Sequence, residues 1–164
     1  MKKLIVIVAL MLGIAVAASA QPRALGLRGG GWVSELSYQH SLGENFIEAD
    51  LGWWYSGGVN IAAAYDFSIA PLGPFNFYAG PAAELYTYNY VNGDGNNAMG
   101  LQVGVGAQIG LEYDFLTDLD VPLVLSLDLR PMAHFYLLGH YEPAVDYYKY
   151  FGWGVALGVR YIFH

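Results

Sequence analysis

The sequence predicts an all-β fold: a single eight-stranded antiparallel up-and-down transmembrane β-barrel, preceded by a cleavable signal peptide. Three observations carry this. The chain is 55% hydrophobic and only 13% charged, against about 25% charged in a typical soluble domain. Yet no apolar run beyond the first twenty residues reaches the ~20 residues of a spanning helix. Apolar and small or polar residues instead alternate strictly through most of the chain, the pattern of strands with two unlike faces.

Residues 1–20 read as a signal peptide. Lys2 and Lys3 form a positive segment, Leu4 to Val16 an apolar run, and Ala18-Ser19-Ala20 a small-residue cleavage site. The barrel then occupies residues 21–164, the 144 that remain when 20 are removed from 164. Without Lys2 and Lys3, five basic residues face 14 acidic ones, a formal charge of −9. There is no basic patch, so nucleic acid is not an expected partner. There is no Cys, which excludes a disulfide and a cysteine-borne lipid anchor.

The strands follow in order. Arg23 to Arg28 and Trp32 to His40 are separated by Gly29-Gly30-Gly31, the only plausible turn in that stretch, the alternative being one long bent strand through the glycines with the N-terminus on the outer side. Ile47 to Tyr55 alternates Ile47, Ala49, Leu51 and Trp53 with Glu48, Asp50 and Gly52. Val59 to Ile69 sets Ile61, Tyr65 and Phe67 against Asn60, Asp66 and Ser68. Phe75 to Tyr90 is noisier, with Glu84 opposite Phe77, Ala83 and Leu85. Met99 to Phe115 sets Leu101, Val105, Ile109, Tyr113 and Phe115 against Gly100, Gln102, Gly104, Gly110, Glu112 and Asp114. Val121 to Leu137 sets Leu123, Leu125, Leu127, Leu129 and Phe135 against Ser126, Asp128, Arg130 and His134. Trp153 to Phe163 closes the series, with Gly152, Gly154, Ala156, Gly158 and Arg160 on its other face. Between these lie turn-forming stretches: 41–45, 70–74 and 116–122 at one end, 55–58, 91–98 and 139–148 at the other.

Cost decides which face meets what. An eight-stranded interior has room only for side chains that fill it. The bulky Leu, Val, Ile, Phe and Trp face of eight strands exceeds that room, whereas Gly, Ala, Ser and scattered charges fit. The bulky face therefore points outward, into lipid. From Trp153 to Phe163, ten steps of about 3.3 Å tilted by about 40° span roughly 25 Å, the height of such a barrel's apolar band. Trp32, Trp53 and Trp153 then mark the outer interface, and Tyr113, Phe115, Tyr161 and Phe163 the inner one.

The chain resembles small outer-membrane β-barrel proteins of OmpX/OmpA type, and more closely a family of short exported barrels without an assigned activity. The likeness rests on "LGLRGG" (25–30), "ELSYQHSLG" (35–43), "FNFYAGPAAELYTY" (75–88), "GAQIGLEYDF" (106–115), "PLVLSLDLRP" (122–131) and "LGVRYIF" (157–163). It implies a monomer in the bacterial outer membrane, with outer-membrane lipid and the outer-membrane assembly machinery as partners. The machinery would read the strand Trp153 to Phe163. Here His164 follows the terminal aromatic, a departure from the usual signal. No cofactor and no metal are implied.

The inward charges are the main candidate site. Arg28, Glu35, Glu84, Glu112, Asp128, Arg130 and Arg160 are expected to form an interior polar network, with Asp128, Arg130 and Arg160 as its anchor, because Arg and carboxylate satisfy each other's buried hydrogen bonds. The expected function is an integral outer-membrane barrel with a plugged polar interior and a structural or surface-interaction role. A narrow cation path is one alternative. A lipid A deacylase or acyltransferase is another, drawing on His40, His134, His140 or His164; no Ser lies close in sequence to His134 or His140, and Ser56 would have to meet them across the barrel. A soluble secreted lipid carrier is a third. "NGDGNN" (92–97) lacks the acids of a calcium loop and reads as a polar turn. The Tyr-rich loop 139–150 reads as an interfacial belt.

Overall fold

The computed structural model describes residues 21–30, 33–54, 57–91, 93–138 and 151–163. Residues 1–20, Trp32, Ser56, the loop 139–150 with His140, and His164 lie outside the described residues. Eight antiparallel strands close into one barrel in sequence order: β1 (Gln21–Gly30), β2 (Val33–Leu42), β3 (Asn45–Trp54), β4 (Val59–Leu72), β5 (Phe75–Val91), β6 (Asn97–Asp114), β7 (Leu123–Leu138) and β8 (Phe151–Ile162). Closure joins β1 to β8 and leaves no edge over the central rows. The pairing of these two strands runs from Ala24 with Ile162 to Gly29 with Leu157, and residues 151–156 of β8 lie beyond it.

The register sets the tilt. Paired residues run once around the barrel from Ile162 through Ala24, Gln39, Glu48, Ala64, Ala82, Gly106 and Met132 to Gly152. The row returns to β8 ten residues from where it began, Gly152 instead of Ile162. That stagger belongs with strands tilted by about 35–45° and an interior just wide enough for side chains.

At one end, the turn end, β2 and β3 are joined by Gly43-Glu44, and β4 and β5 by Gly73-Pro74. Each glycine has positive φ (68° and 63°) at the first turn position, as a type II′ hairpin requires. The third connection at this end is not a plain turn. Residues Phe115–Leu119 form a one-turn helix, α1. Asp114 caps it, its carboxylate accepting from the amides of Leu116 (2.8 Å) and Thr117 (3.4 Å). Phe115 therefore opens α1 instead of ending a strand, and packs edge-to-face on Tyr113.

At the opposite loop end, β1 runs on to Gly30, and Gly29 and Gly30 pair with Ser34 and Val33. The predicted three-glycine turn is thus tighter than the sequence suggested: only residues 31 and 32 separate the strands. The barrel is also lopsided there. Beyond the paired row Gly52–Asn60–Tyr86–Gln102, β3 has two further residues and β5 has five.

The faces are inverted relative to a soluble protein. Ile109 (37% exposed), Leu125 (41%) and Val155 (54%) point outward, with Trp53, Trp153, Tyr161 and Phe163 also exposed. Trp53 and Trp153 lie toward the loop end, Tyr113, Phe115, Tyr161 and Phe163 at the turn end. Inside lie Ser, Gln, Asn, carboxylates and arginines. They share that space with a few apolar side chains the alternation left unremarked, among them Phe46 and Tyr78, packed edge-to-face at 5.1 Å.

Candidate functional site: the polar interior

The interior builds outward from Glu48 on β3, which is wholly buried. Its Oε1 accepts from Arg130 Nη2 (2.7 Å), and its Oε2 accepts from Arg160 Nη2 and Gln39 Nε2 (both 2.8 Å). Arg28 Nε stands 3.9 Å from Oε1. Arginines from three strands thus converge on one carboxylate. Each guanidinium is held by further partners. Arg160 donates to Ser37 Oγ (2.9 Å) and Ser126 Oγ (2.7 Å). Arg130 also binds Asp50 and Gln108. Arg28 binds Glu35 and, at 3.2 Å, Asp128. In so buried a layer the arginines and Glu48 are tolerable because each finds several partners, whereas Asp50 has, among the described residues, Arg130 alone and leaves Oδ1 unpaired.

Glycines make this packing possible. Side chains two strands apart must reach across ~9.6 Å, and they meet where the strand between carries no side chain. Glu35 and Asn60 flank Gly52 in the register, and Asn60 Nδ2 donates to Glu35 Oε1 at 2.6 Å. Tyr78 and Asp128 flank Gly110, and the phenol donates to the carboxylate. Glu84 and His134 flank Gly104, with His134 Nε2 2.5 Å from Glu84 Oε1. A Cβ at Gly104 would come within 2.7 Å of Glu84 Cγ and 2.8 Å of His134 Cδ2.

The candidate residues therefore sort into three groups. Arg28, Glu35, Asp128, Arg130 and Arg160 share the Glu48 layer. Asp128, however, accepts from Arg28, Tyr78 and Ser126 and does not bind Arg130 or Arg160 directly. The anchor is Glu48, which the expected trio omitted. Glu112 lies at the turn end, bound by Arg23 and by Asn76 Nδ2 at 2.9 Å. Glu84 stands apart in the upper lumen with His134.

Arg23 was invisible to alternation counting, which places it on the outer face. The pairing of β1 with β2 shifts between Pro22 and Ala24. The extra residue of that bulge re-aims Arg23 inward, where it also reaches Gln39 Oε1 (2.7 Å) and covers the Phe46 ring at 4.2 Å.

Of the histidines, His40 lies on the outer face, its Nδ1 2.7 Å from Tyr38 OH. The interior hydroxyls of Ser37, Ser68 and Ser126 bind Arg160, Asn76 and Asp128, not a histidine. Above the Glu48 layer the lumen opens into a cavity of about 280 Å³, bounded by Arg28, Arg130, Glu84, Tyr86, Met132 and His134, and by Gly152, Gly154 and Ala156 of β8.

Compared with known proteins, the chain matches no family model, no curated protein and no solved structure. The functional reading therefore rests on its own residues.

Proposed function

We infer that the chain is an integral β-barrel of a bacterial outer membrane. Its apolar exterior holds it in lipid, its ion-paired interior closes it to ion flow, and its role is structural or one of surface interaction. A single observation carries this: a closed barrel whose outward face is Leu, Val, Ile and aromatic while its centre is charged. In water, that exterior exceeds the few hundred Å² of contiguous apolar surface a soluble monomer exposes. In lipid, it is the expected coat of a spanning barrel. The exposed rings near both ends, Trp53 and Trp153 at one and Tyr161 and Phe163 at the other, suit the two headgroup levels. The dense layer at Glu48 supports closure over conduction. Assembly through the Trp153 to Phe163 strand, with the barrel standing as a monomer, belongs to the same reading.

The test is direct. The protein is expected to fractionate with outer membranes, to need detergent for extraction, and to migrate faster on gels unboiled than boiled. In planar bilayers it should add no steady conductance. A protein that stays monodisperse in buffer without detergent would overturn the membrane reading.

A further inference from the structure

The cavity above the Glu48 layer has a chemistry of its own. Its volume, about 280 Å³, is roughly nine times the ~30 Å³ share of one liquid water. The inward positions of β8 beside it carry only Gly152, Gly154 and Ala156, and Trp153 and Val155 of the same strand also border it.

Its electrostatics favour a cation. Among the described residues, six fully buried carboxylates (Glu35, Glu48, Asp50, Asp66, Glu112, Asp128) share the interior with three equally buried guanidiniums, Arg28, Arg130 and Arg160. Arg23 at the turn end adds a fourth, which still leaves an acidic surplus. Glu84, on the cavity wall, adds one more carboxylate. The two arginines on the floor are already committed, Arg28 to Glu35 and Asp128, and Arg130 to Glu48 and Asp50. An anion would meet these guanidiniums already paired with two carboxylates each, whereas Glu84 has among the described residues the single contact with His134.

The walls favour an organic cation over a metal ion. Tyr86 and Met132 line the cavity together with Glu84, and aromatic rings and thioethers attract alkylammonium groups through ring quadrupole and polarisability. No set of three His, Cys, Asp or Glu side chains among the described residues converges to hold a metal.

We propose that this cavity binds a small organic ammonium ion, with Glu84 as its counter-charge and Tyr86 and Met132 against its carbon atoms. The cavity is lined by the inward-facing Arg28, Glu84, Arg130 and His134, and also by Trp153 and Val155 on the stretch of β8 beyond its pairing with β1. The proposal commits to a free solute, and a lipid headgroup is the alternative that the test separates from it. The proposal goes beyond the membrane reading and does not depend on it.

The experiment is calorimetric titration of the purified full barrel in non-ionic detergent with tetramethylammonium chloride, beside tert-butanol, its neutral counterpart in shape. Saturable binding of the ammonium and none of the alcohol is expected. Glu84→Gln should weaken binding at least about tenfold, the ~1.4 kcal/mol of one lost charge contact. Gly154→Val should abolish it by filling the space. A Cβ at Gly154 lies 3.7 Å from its nearest neighbour, and both variants should keep the parent's gel shift. Absence of saturable binding, equal binding of the alcohol, or undiminished binding by folded Glu84→Gln would overturn the proposal. So would binding of a short-chain phosphocholine lipid without binding of tetramethylammonium.

Discussion

The two halves of the lumen are built from the same residue types to opposite ends. Around Glu48, three arginines, their carboxylates and Ser37, Ser126, Gln39 and Gln108 interlock with nearly complete burial. Around Glu84, a single contact with His134 stands beside open space. The difference lies in the opposing strands. Near Glu48, β2 and β3 send Glu35, Ser37, Gln39 and Asp50 inward. Near Glu84, β8 offers Gly152 and Gly154. Within one strand order the barrel is thus plugged where inward side chains are large and left open where they are small and β8 has run past its pairing with β1.

This contrast can be broken from its strongest point downward. Removing the hub carboxylate with Glu48→Ala leaves Arg130 and Arg160 short of their shared partner, and should cost about 3–5 kcal/mol. Denaturant unfolding in micelles, followed by loss of the fast-migrating gel form, measures it. A loss under ~1 kcal/mol would mean the layer is wetter than it looks. Arg160→Met should cost less than Glu48→Ala, because Glu48 keeps Arg130 and Gln39, and the same unfolding assay ranks the two.

Gly110→Ala tests the glycine-bridged contacts. Its Cβ would enter the Tyr78 ring and push the phenol off Asp128, an overpacking cost of about 1–3 kcal/mol. Gly154→Ala, on the open side, should shift stability by less than ~0.5 kcal/mol, since its Cβ meets nothing closer than 3.7 Å. Equal effects from these two alanines would erase the proposed difference between the tiers. Glu84→Gln, also on the open side, should change stability by under ~1 kcal/mol, as expected for a partly exposed pair.

Much of this was legible beforehand because strand alternation has a period of two and little else competes with it. Ile109 and Gln108, or Leu127 and Asp128, sort to opposite faces by parity alone. Parity fails where the backbone breaks step. The bulge at Arg23 reversed its face. The Asp114 cap began a helix where alternation continued a strand through Phe115. The Asp114 carboxylate two and three residues ahead of Leu116 and Thr117 was the available cue, since capping by Asp is a local preference.

The candidate network divides in the same way. Each named charge could be assigned to the interior from its neighbours, but not its partner. Arg28 and Glu35 face each other directly across β1 and β2. Arg130 and Glu48, by contrast, lie 82 positions apart on β7 and β3. Whether such groups meet depends on how far the sheet has staggered when it closes, a quantity summed over eight registers.

From the residues alone come the closed all-β architecture, the inverted faces and the identity of the interior charges, since these follow from local periodicity and from how much bulk a narrow cylinder can hold. Tertiary structure alone decides that Glu48 is the hub, that Arg23 joins the interior and Glu84 leaves the main network, and that a cavity opens beside β8. Those outcomes depend on the ten-residue stagger from Gly152 to Ile162 and on which strands carry glycine opposite which side chains. Such relations exist only once the first strand has met the last.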